Sequence, residues 1–336
     1  MPVCCSAEPA WCFSNEIFDG NVRAVRVSCR RDSALNASEA SSRHVMCRPV
    51  GPAAVALGQG YDMLSHRYGS SPLMVFSSIT DHWNLIRQLT RREIASRYRG
   101  SFLGCLWAFL HPVVMLTVYT IVFRGAFGMR WGREGESALD FGLLLFSGLI
   151  VHALFSESVH RAPYLIVNHS NYVKKIVFPL EILVWTSLGA ALFHAGMSAL
   201  VLILFYGLLH HSLHWTMLFL PLLLLPLTLV TVGISWVLAS AGVFLKDIGQ
   251  ASGPVTTVML FLSPVFYPVS ALPESYQTLL YANPLTFLIT QAQDILIWGK
   301  APSWVGIGVY CAYGYLIAWL GLLWFQRTRK AFADVL

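Results

Sequence analysis

From Ile182 to Leu245 the chain runs for 64 residues without one Asp, Glu, Lys or Arg. As a single helix this stretch would be roughly 96 Å long at ~1.5 Å per residue, about three times the ~30 Å hydrocarbon core of a bilayer. It therefore has to fold back, and the polar break His210-His211-Ser212-Leu213-His214 is the natural turn of a hairpin of two membrane spans. A charge at bilayer depth costs at least ~2.5–3.5 kcal/mol, so charge clusters mark where the chain meets water and the gaps between them mark lipid. Composition agrees: 56% of residues are hydrophobic and 12% charged, against roughly 25% charged in soluble domains.

The same rule locates the other spans. Gly100 to Phe123 is uncharged between Arg99 and Arg124, with Pro112 inside it, and Phe141 to Ser156 is uncharged and extendable to His160. Ile248 to Pro273 supports a fifth crossing whose helix should end near Leu262, because Pro264, Pro268 and Pro273 follow and proline removes a helical hydrogen bond. Ala301 to Gln326 is the sixth. Residues 264–299 are too polar for a crossing and too apolar for a plain loop, which fits short re-entrant or interfacial helices. The expected fold is an all-α polytopic membrane protein of six transmembrane helices.

Before the first span, Asp81 to Arg99 reads as a helix with Asp81 as N-cap. Trp83, Ile86, Leu89, Ile94 and Tyr98 fill about half of its circumference, and Arg87 and Arg97 intrude on that arc. Long Arg stems can snorkel, so we expect an interfacial helix over residues 79–99; a solvated juxtamembrane helix is the plainer alternative. Residues 1–78 carry no sustained apolar period and read as a disordered tail. A second reading makes this tail partly an artefact of start-site choice, with Met63 or Met74 as the alternative start. Five of the seven cysteines (Cys4, Cys5, Cys12, Cys29, Cys47) lie in it without metal-site spacing, as free thiols would. Residues 100–336 form the transmembrane domain.

Lys and Arg counts on alternate sides orient the domain. One side receives Arg87, Arg91, Arg92, Arg97, Arg99, Arg161, Lys174, Lys175, Lys246, Arg327, Arg329 and Lys330, and the other only Arg124, Arg130, Arg133 and Lys300. Twelve against four puts both termini in the cytoplasm.

Motif chemistry is largely excluded. None of the five Lys lies in a Walker A pattern, so ATP is not bound through a P-loop. His210, His211 and His214 lack acid or Cys partners for a metal, and Glu157 with His160 has the Glu-x-x-His spacing of a di-iron arm without its matching arm. Glu157, Glu181, Asp247 and Asp294 fall at span boundaries on different sides, where no acid-base cluster can gather. We assign no catalytic, cofactor-binding or metal-binding residue, and no nucleic-acid partner. The spans do carry many aromatics, a subset of which could line a path for sugars; Phe102, Trp107, Tyr119, Phe266 and Tyr267 are the candidates.

Four ordered strings go further: RREIASRYRGSFLGCLWAFLHPVVM (91–115), NYVKKIVFPLE (171–181), LKDIGQ (245–250) and SPVFYPVSALPESYQTLLYANPLT (263–286). Together they resemble the ABC-2 type permeases that export polysaccharides, closest to the O-antigen and teichoic-acid subgroup, over about residues 80–330. The resemblance implies a half-transporter in the inner (cytoplasmic) membrane. It would form a homodimer and dock a separate cytoplasmic ATPase, which would bind ATP and Mg. The cargo implied is a polyprenyl-diphosphate-linked polysaccharide. By position, Trp83, Arg87, Arg91 and Arg97 would belong to the gate helix. Arg161, Tyr172, Lys174, Lys175, Lys246 and Asp247 would form the ATPase-coupling cytoplasmic mouth, although positive-inside bias explains Lys174 and Lys175 equally well. The 264–284 stretch resembles the family's short extracytoplasmic gate helices. An ABC-2 exporter of drugs or small lipids is the nearest alternative, and a membrane-embedded glycosyltransferase a more distant one.

Overall fold

The computed structural model describes residues 12–18, 21–27, 74–122, 138–175 and 178–336. The cluster Arg124, Arg130 and Arg133, together with Phe123 and most of the N-terminal stretch, lies outside them, as do the side chains of Lys174 and Lys175. The chain divides into two units, 1–71 and Pro72–Leu336. In the first, β1 (Cys12–Phe18) pairs antiparallel with β2 (Asn21–Val27), Cys12 opposite Val27 and Phe18 opposite Asn21. Both strands mix β-branched and aromatic residues with polar ones, a pattern the sequence reading passed over.

The second unit is helical. Its first element, α1 (Met74–Thr80), falls inside the stretch expected to be tail, so the boundary lies at residues 71/72 rather than 78/79. The apolar run Leu73-Met74-Val75-Phe76 explains the shift: Val75 is fully buried, and the Phe76 ring stacks 5.6 Å from Tyr315. Next comes α2 (Trp83–Tyr98). The expected N-cap at Asp81 is not observed: the Asp81 N–H donates to the Ser77 carbonyl, continuing the previous helix, and His82 occupies the cap position without a side-chain cap bond. Gly100 and Gly104, at φ 85° and 50°, then take left-handed conformations that only glycine adopts freely. They break the chain so that the first span begins at Gly104 rather than Gly100, with α3 at Trp107–Tyr119.

The remaining helices are α4 (Ala138–Arg161), α5 (Leu165–Asn168), α6 (Ser170–Lys175), α7 (Ile182–His210), α8 (Leu220–Phe244), α9 (Asp247–Phe261), α10 (Glu274–Ala282), α11 (Pro284–Leu296), α12 (Trp304–Thr328) and α13 (Phe332–Val335). Five stretches among the described residues are long and apolar enough to cross a membrane: Gly104–Val122, Leu139–Asn168, Ile182–His210, Trp215–Phe244 and Trp304–Ala331. The 64-residue gap is a hairpin, and α7 ends at His210, where His211 takes the left-handed conformation and its N–H caps the Gly207 carbonyl.

The fifth expected crossing is different. α9 has 15 residues, about 22 Å of helix, and stops at Phe261 just before the prolines. Asn283 fastens this end: its Nδ2 donates to the carbonyls of Met259 and Leu262 (3.1 and 3.2 Å) and to Ser263 Oγ (2.9 Å), while its Oδ1 caps α11 through the Leu285 N–H. Buried Gln293 donates to the Pro264 carbonyl at 3.0 Å. These two amides occupy the carbonyls of Met259, Leu262 and Pro264 around the point where the helix stops.

Contacts sort the helix ends into two groups. At one end Arg329 Nη1 meets Glu181 Oε2 at 3.4 Å, Phe244 packs 6.0 Å from Phe332, and Gly249 lies against Tyr164. At the other, His210 Nε2 meets Asp140 at 2.9 Å, Phe219 packs 5.2 Å from Trp304, and Thr216 donates to the Ile295 carbonyl at 2.7 Å. The chain thus passes from the first end to the second between Asp247 and Leu296.

Candidate functional site

α2 forms a wall of three cavities. The first, of about 880 Å³, lies between α2 and α7 and is lined by Ile86, Arg87, Arg91, Leu188 and Leu192 among others. The second, about 680 Å³, is enclosed by the end of α2, by α3, α4 and α7, and by Leu260 of α9. The third, about 510 Å³, opens beneath α2 toward Arg161, Tyr164, Asn168 and Tyr172.

Glu157, one turn from the end of α4, joins the elements around the second cavity. Arg97 Nη1 of α2 donates to Glu157 Oε1 at 2.8 Å, and Arg161 Nη2 stands 3.7 Å from the same oxygen. His194 Nδ1 of α7 is 3.0 Å from Glu157 Oε1 and 2.8 Å from Arg97 Nη1, so the position of its ring proton decides which of the two it bonds. Arg161 Nη1 in turn reaches Glu93 Oε1 of α2 at 2.8 Å. Glu157 retains 19% of its side-chain exposure; at that depth two guanidiniums and an imidazole are the compensation a carboxylate requires. Tyr98 closes the cluster with its ring edge 6.2 Å from His194, and burial pushes its phenol above the ordinary value against the pull of Arg97.

A second polar set ties α9 to α4. His152 Nε2 meets the Thr256 carbonyl at 3.0 Å, while His160 meets Thr256 Oγ1 through Nε2 at 2.9 Å and Ser252 Oγ through Nδ1 at 3.4 Å. Both histidines line the second cavity. Its walls therefore combine aromatic and aliphatic surface with the carboxylate, guanidinium and imidazole groups at one end.

The expected site residues are distributed as follows. Trp83, Arg87 and Arg91 line the first cavity, and Arg97 the second. Of the aromatics, Trp107 and Tyr119 line the second cavity. Phe102 is fully exposed in the turn between the two left-handed glycines, Phe266 stacks 5.7 Å from Phe261, and the Tyr267 hydroxyl donates to the Phe261 carbonyl at 2.5 Å. Arg161 and Tyr172 line the third cavity, with Tyr172 stacked between His169 (5.6 Å) and Phe178 (4.6 Å). Lys246 and Asp247 are exposed at the start of α9, where the Asp247 carboxylate complements the helix dipole. Lys174 and Lys175 fall in α6, and the positions of their side chains lie outside the described residues.

Sequence reasoning treated Glu157 as a helix-end acid and passed over His194 and Glu93. The available signals were an acid four residues before Arg161 on a span and a histidine deep within the uncharged gap, positions at which an ionisable group needs a partner. Among the described residues no group of three His, Cys, Asp or Glu could hold a metal ion.

Comparison with known proteins fits this architecture. The O-antigen export system permease protein RfbA of Myxococcus xanthus is 29% identical over 253 residues, covering 74% of this chain and 94% of the relative. The polysialic acid transport protein KpsM of Escherichia coli is 22% identical over 73% of this chain and 94% of its own length. The inner membrane transport permease YadH of Escherichia coli K12 is 27% identical over 71% and 94%. Residues 84–297, from the second residue of α2 to just past α11, match the ABC-2 type transporter family. The chain belongs to that family and is a multi-pass membrane transport subunit rather than an enzyme.

Proposed function

We propose that this chain is the permease of an ATP-binding-cassette exporter that moves a polyprenyl-diphosphate-linked polysaccharide across the inner (cytoplasmic) membrane. The observation that carries the reading is the placement of Arg161. It is the last residue of α4, it holds Glu93 of α2, and it leads directly into the 162–175 segment. A push on that segment by a cytoplasmic ATPase would be transmitted through Arg161 to α2 and, through Glu157, to Arg97 at the mouth of the 680 Å³ cavity. ATP and Mg belong to the ATPase partner, and the permease supplies the hinge and the path. The polysaccharide cargo is carried over from the RfbA relative, an O-antigen export permease, and the KpsM relative, a polysialic acid transport protein.

The topology we assign has six crossings. The passage of the chain between the two groups of helix ends over Asp247–Leu296 supports counting α9 with its re-entrant α10 and α11 as the fifth, and an even count places both termini on one side, the cytoplasmic side by Lys and Arg excess. A homodimer is the working unit in this reading. Only 17% of the apolar window in Gly104–Val122 is buried, against 72% in Leu139–Asn168, so among the described residues α3 keeps a large uncovered face on which a second copy would complete the passage.

The test is export of a lipid-linked glycan in cells whose own permease is deleted, with the chain co-expressed with its ATPase. Surface glycan should appear with the unaltered chain and fall with Lys174→Ala/Lys175→Ala. Surface glycan from that variant equal to the unaltered chain, with ATPase association intact, would remove 162–175 from the coupling role. Absence of surface glycan together with ATP-dependent efflux of a small amphiphile would replace the polysaccharide reading with the small-molecule one.

A further inference from the structure

The 880 Å³ cavity between α2 and α7 has no part in the ionic relay. Its walls are Ile86, Ile94 and Ala95 of α2 and Leu188, Leu192 and Phe193 of α7. The space is a half-open groove whose size falls within the ~300–1,000 Å³ of small-molecule sites, and its largely apolar lining gains contacts when hydrocarbon covers it. The aliphatic walls between α2 and α7 offer water few polar partners. The slot is also built rather than incidental. α2 is seated on α7 where Thr90 approaches Gly189: a Cβ at Gly189 would stand 2.8 Å from Thr90 Oγ1, and that hydroxyl points to the Thr186 carbonyl at 3.5 Å.

Three guanidiniums line the slot: Arg87 and Arg91, one turn apart on one face of α2, and Arg99 just after it. Each is exposed, and among the described residues none has an ion-pair or hydrogen-bond partner. This contrasts with Arg97, Arg161 and Arg329, each of which holds a carboxylate. A hydrocarbon slot rimmed by uncompensated guanidiniums on an interfacial helix has the charge and polarity profile of an anionic lipid: apolar chains inward, phosphate outward.

We propose that the α2–α7 slot is a binding site for an anionic phospholipid of the leaflet at which α2 lies. Its acyl chains fill the space against Leu188 and Leu192, and its phosphate is held by Arg87 and Arg91. The bound lipid is a wedge that holds α2 on α7, on the opposite side of α2 from Glu93 and Arg161. The inference rests on membrane residence alone and is independent of the cargo.

Native mass spectrometry of the full-length chain in detergent, with phosphatidylglycerol or phosphatidylcholine of matched acyl chains added, tests it. The unaltered chain should retain phosphatidylglycerol with a preference of roughly tenfold. Arg87→Gln/Arg91→Gln should lose the preference, and Arg87→Lys/Arg91→Lys should keep most of it, which separates loss of charge from loss of fold. Leu192→Trp should lower retention of both lipids by filling the slot. Equal retention of the two lipids by the unaltered chain, or an undiminished preference in the double Gln variant, overturns the proposal. So does co-purification of a polyprenyl diphosphate, rather than a phospholipid, in a manner sensitive to Leu192→Trp.

Discussion

The α8–α12 seam and the α2–α4–α7 node hold helices together by opposite means. The seam relies on close approach of backbones: a Cβ at Gly233 would stand 2.5 Å from the Ile317 carbonyl oxygen, one at Gly321 would collide with the Gly233 carbonyl, and one at Gly314 would lie 3.0 Å from the Pro226 carbonyl. Lipid tails are as apolar as leucine, so such small-residue packing, rather than hydrophobic burial, is what associates helices in a bilayer. The node instead joins three helices through Glu157, Arg97, Arg161 and His194 beside a 680 Å³ space. The seam has essentially one arrangement, because any slip makes backbones collide. The node can exchange partners, since Glu157 has three donors within reach, Arg97, Arg161 and His194. One region suits a fixed anchor, and the other suits a part that moves.

The largest effect is expected at the anchor. Gly321→Leu puts a side chain against the Gly233 carbonyl, which belongs to backbone and cannot rotate away. Overpacking typically costs ~1–3 kcal/mol, occasionally more, and here it also parts the two helices. The expected result is loss of the monodisperse size-exclusion peak in detergent. A variant that stays monodisperse with unchanged thermal stability would break the distinction between anchor and mover.

Next comes Glu157→Gln. Removing one partner of a buried pair costs up to ~3–5 kcal/mol, reduced here by the 19% exposure of Glu157, and it leaves Arg97 and His194 without their carboxylate. We expect export to drop by about tenfold, the factor a loss of ~1.4 kcal/mol produces, while ATP hydrolysis by the partner continues and the melting temperature falls less than for Gly321→Leu. Parallel loss of export, ATP hydrolysis and stability would make the node structural only.

The seam and the node also differ in how far they can be read from sequence. Five spans were legible because the bilayer penalises charge position by position, and the helix ends at His210 and near Leu262 followed from a histidine cluster and a run of prolines. The seam glycines belong to uniformly apolar helices whose facing sides carry no period to distinguish them. The node was not legible because its partners are 60 residues apart for Arg97–Glu157 and 97 for Arg97–His194, and only the fold brings them together. Aromatics met the same limit: Trp107 and Tyr119 line the cavity while Phe102 projects from a turn that the φ values of Gly100 and Gly104 create.

A smaller effect is expected where α9 rests on α4. Thr256→Val keeps the shape and the carbonyl that His152 uses, and removes the hydroxyl that His160 Nε2 meets at 2.9 Å. A typical hydrogen bond contributes a net ~0.5–1.5 kcal/mol; His160 is exposed, and Ser252 Oγ at 3.4 Å from His160 Nδ1 gives the ring a second partner. A modest fall in melting temperature with partial loss of export is the expected outcome. A fall as large as that of Gly321→Leu would make this contact part of the anchor.

The smallest effect is expected for Arg329→Gln, at the point where seam and mover meet. Arg329 follows α12, and its guanidinium reaches Glu181 Oε2 at 3.4 Å and the Phe178 carbonyl at 3.3 Å, just before α7. Its side chain is 36% exposed and the bond is long, so solvent screens the pair and its contribution to stability is at most ~1 kcal/mol. The melting temperature should move by no more than the scatter of repeat measurements. Phe178, however, stacks on Tyr172 of α6, so Arg329 ties the end of the fixed seam to the segment on which the ATPase is proposed to act. Export per ATP hydrolysed should therefore fall about twofold, a change of ~0.4 kcal/mol in coupling, without a matching change in stability. If Arg329→Gln lowers stability as much as Thr256→Val while export per ATP is unchanged, the seam extends into the coupling segment and the line between the two regions must be drawn after Phe178.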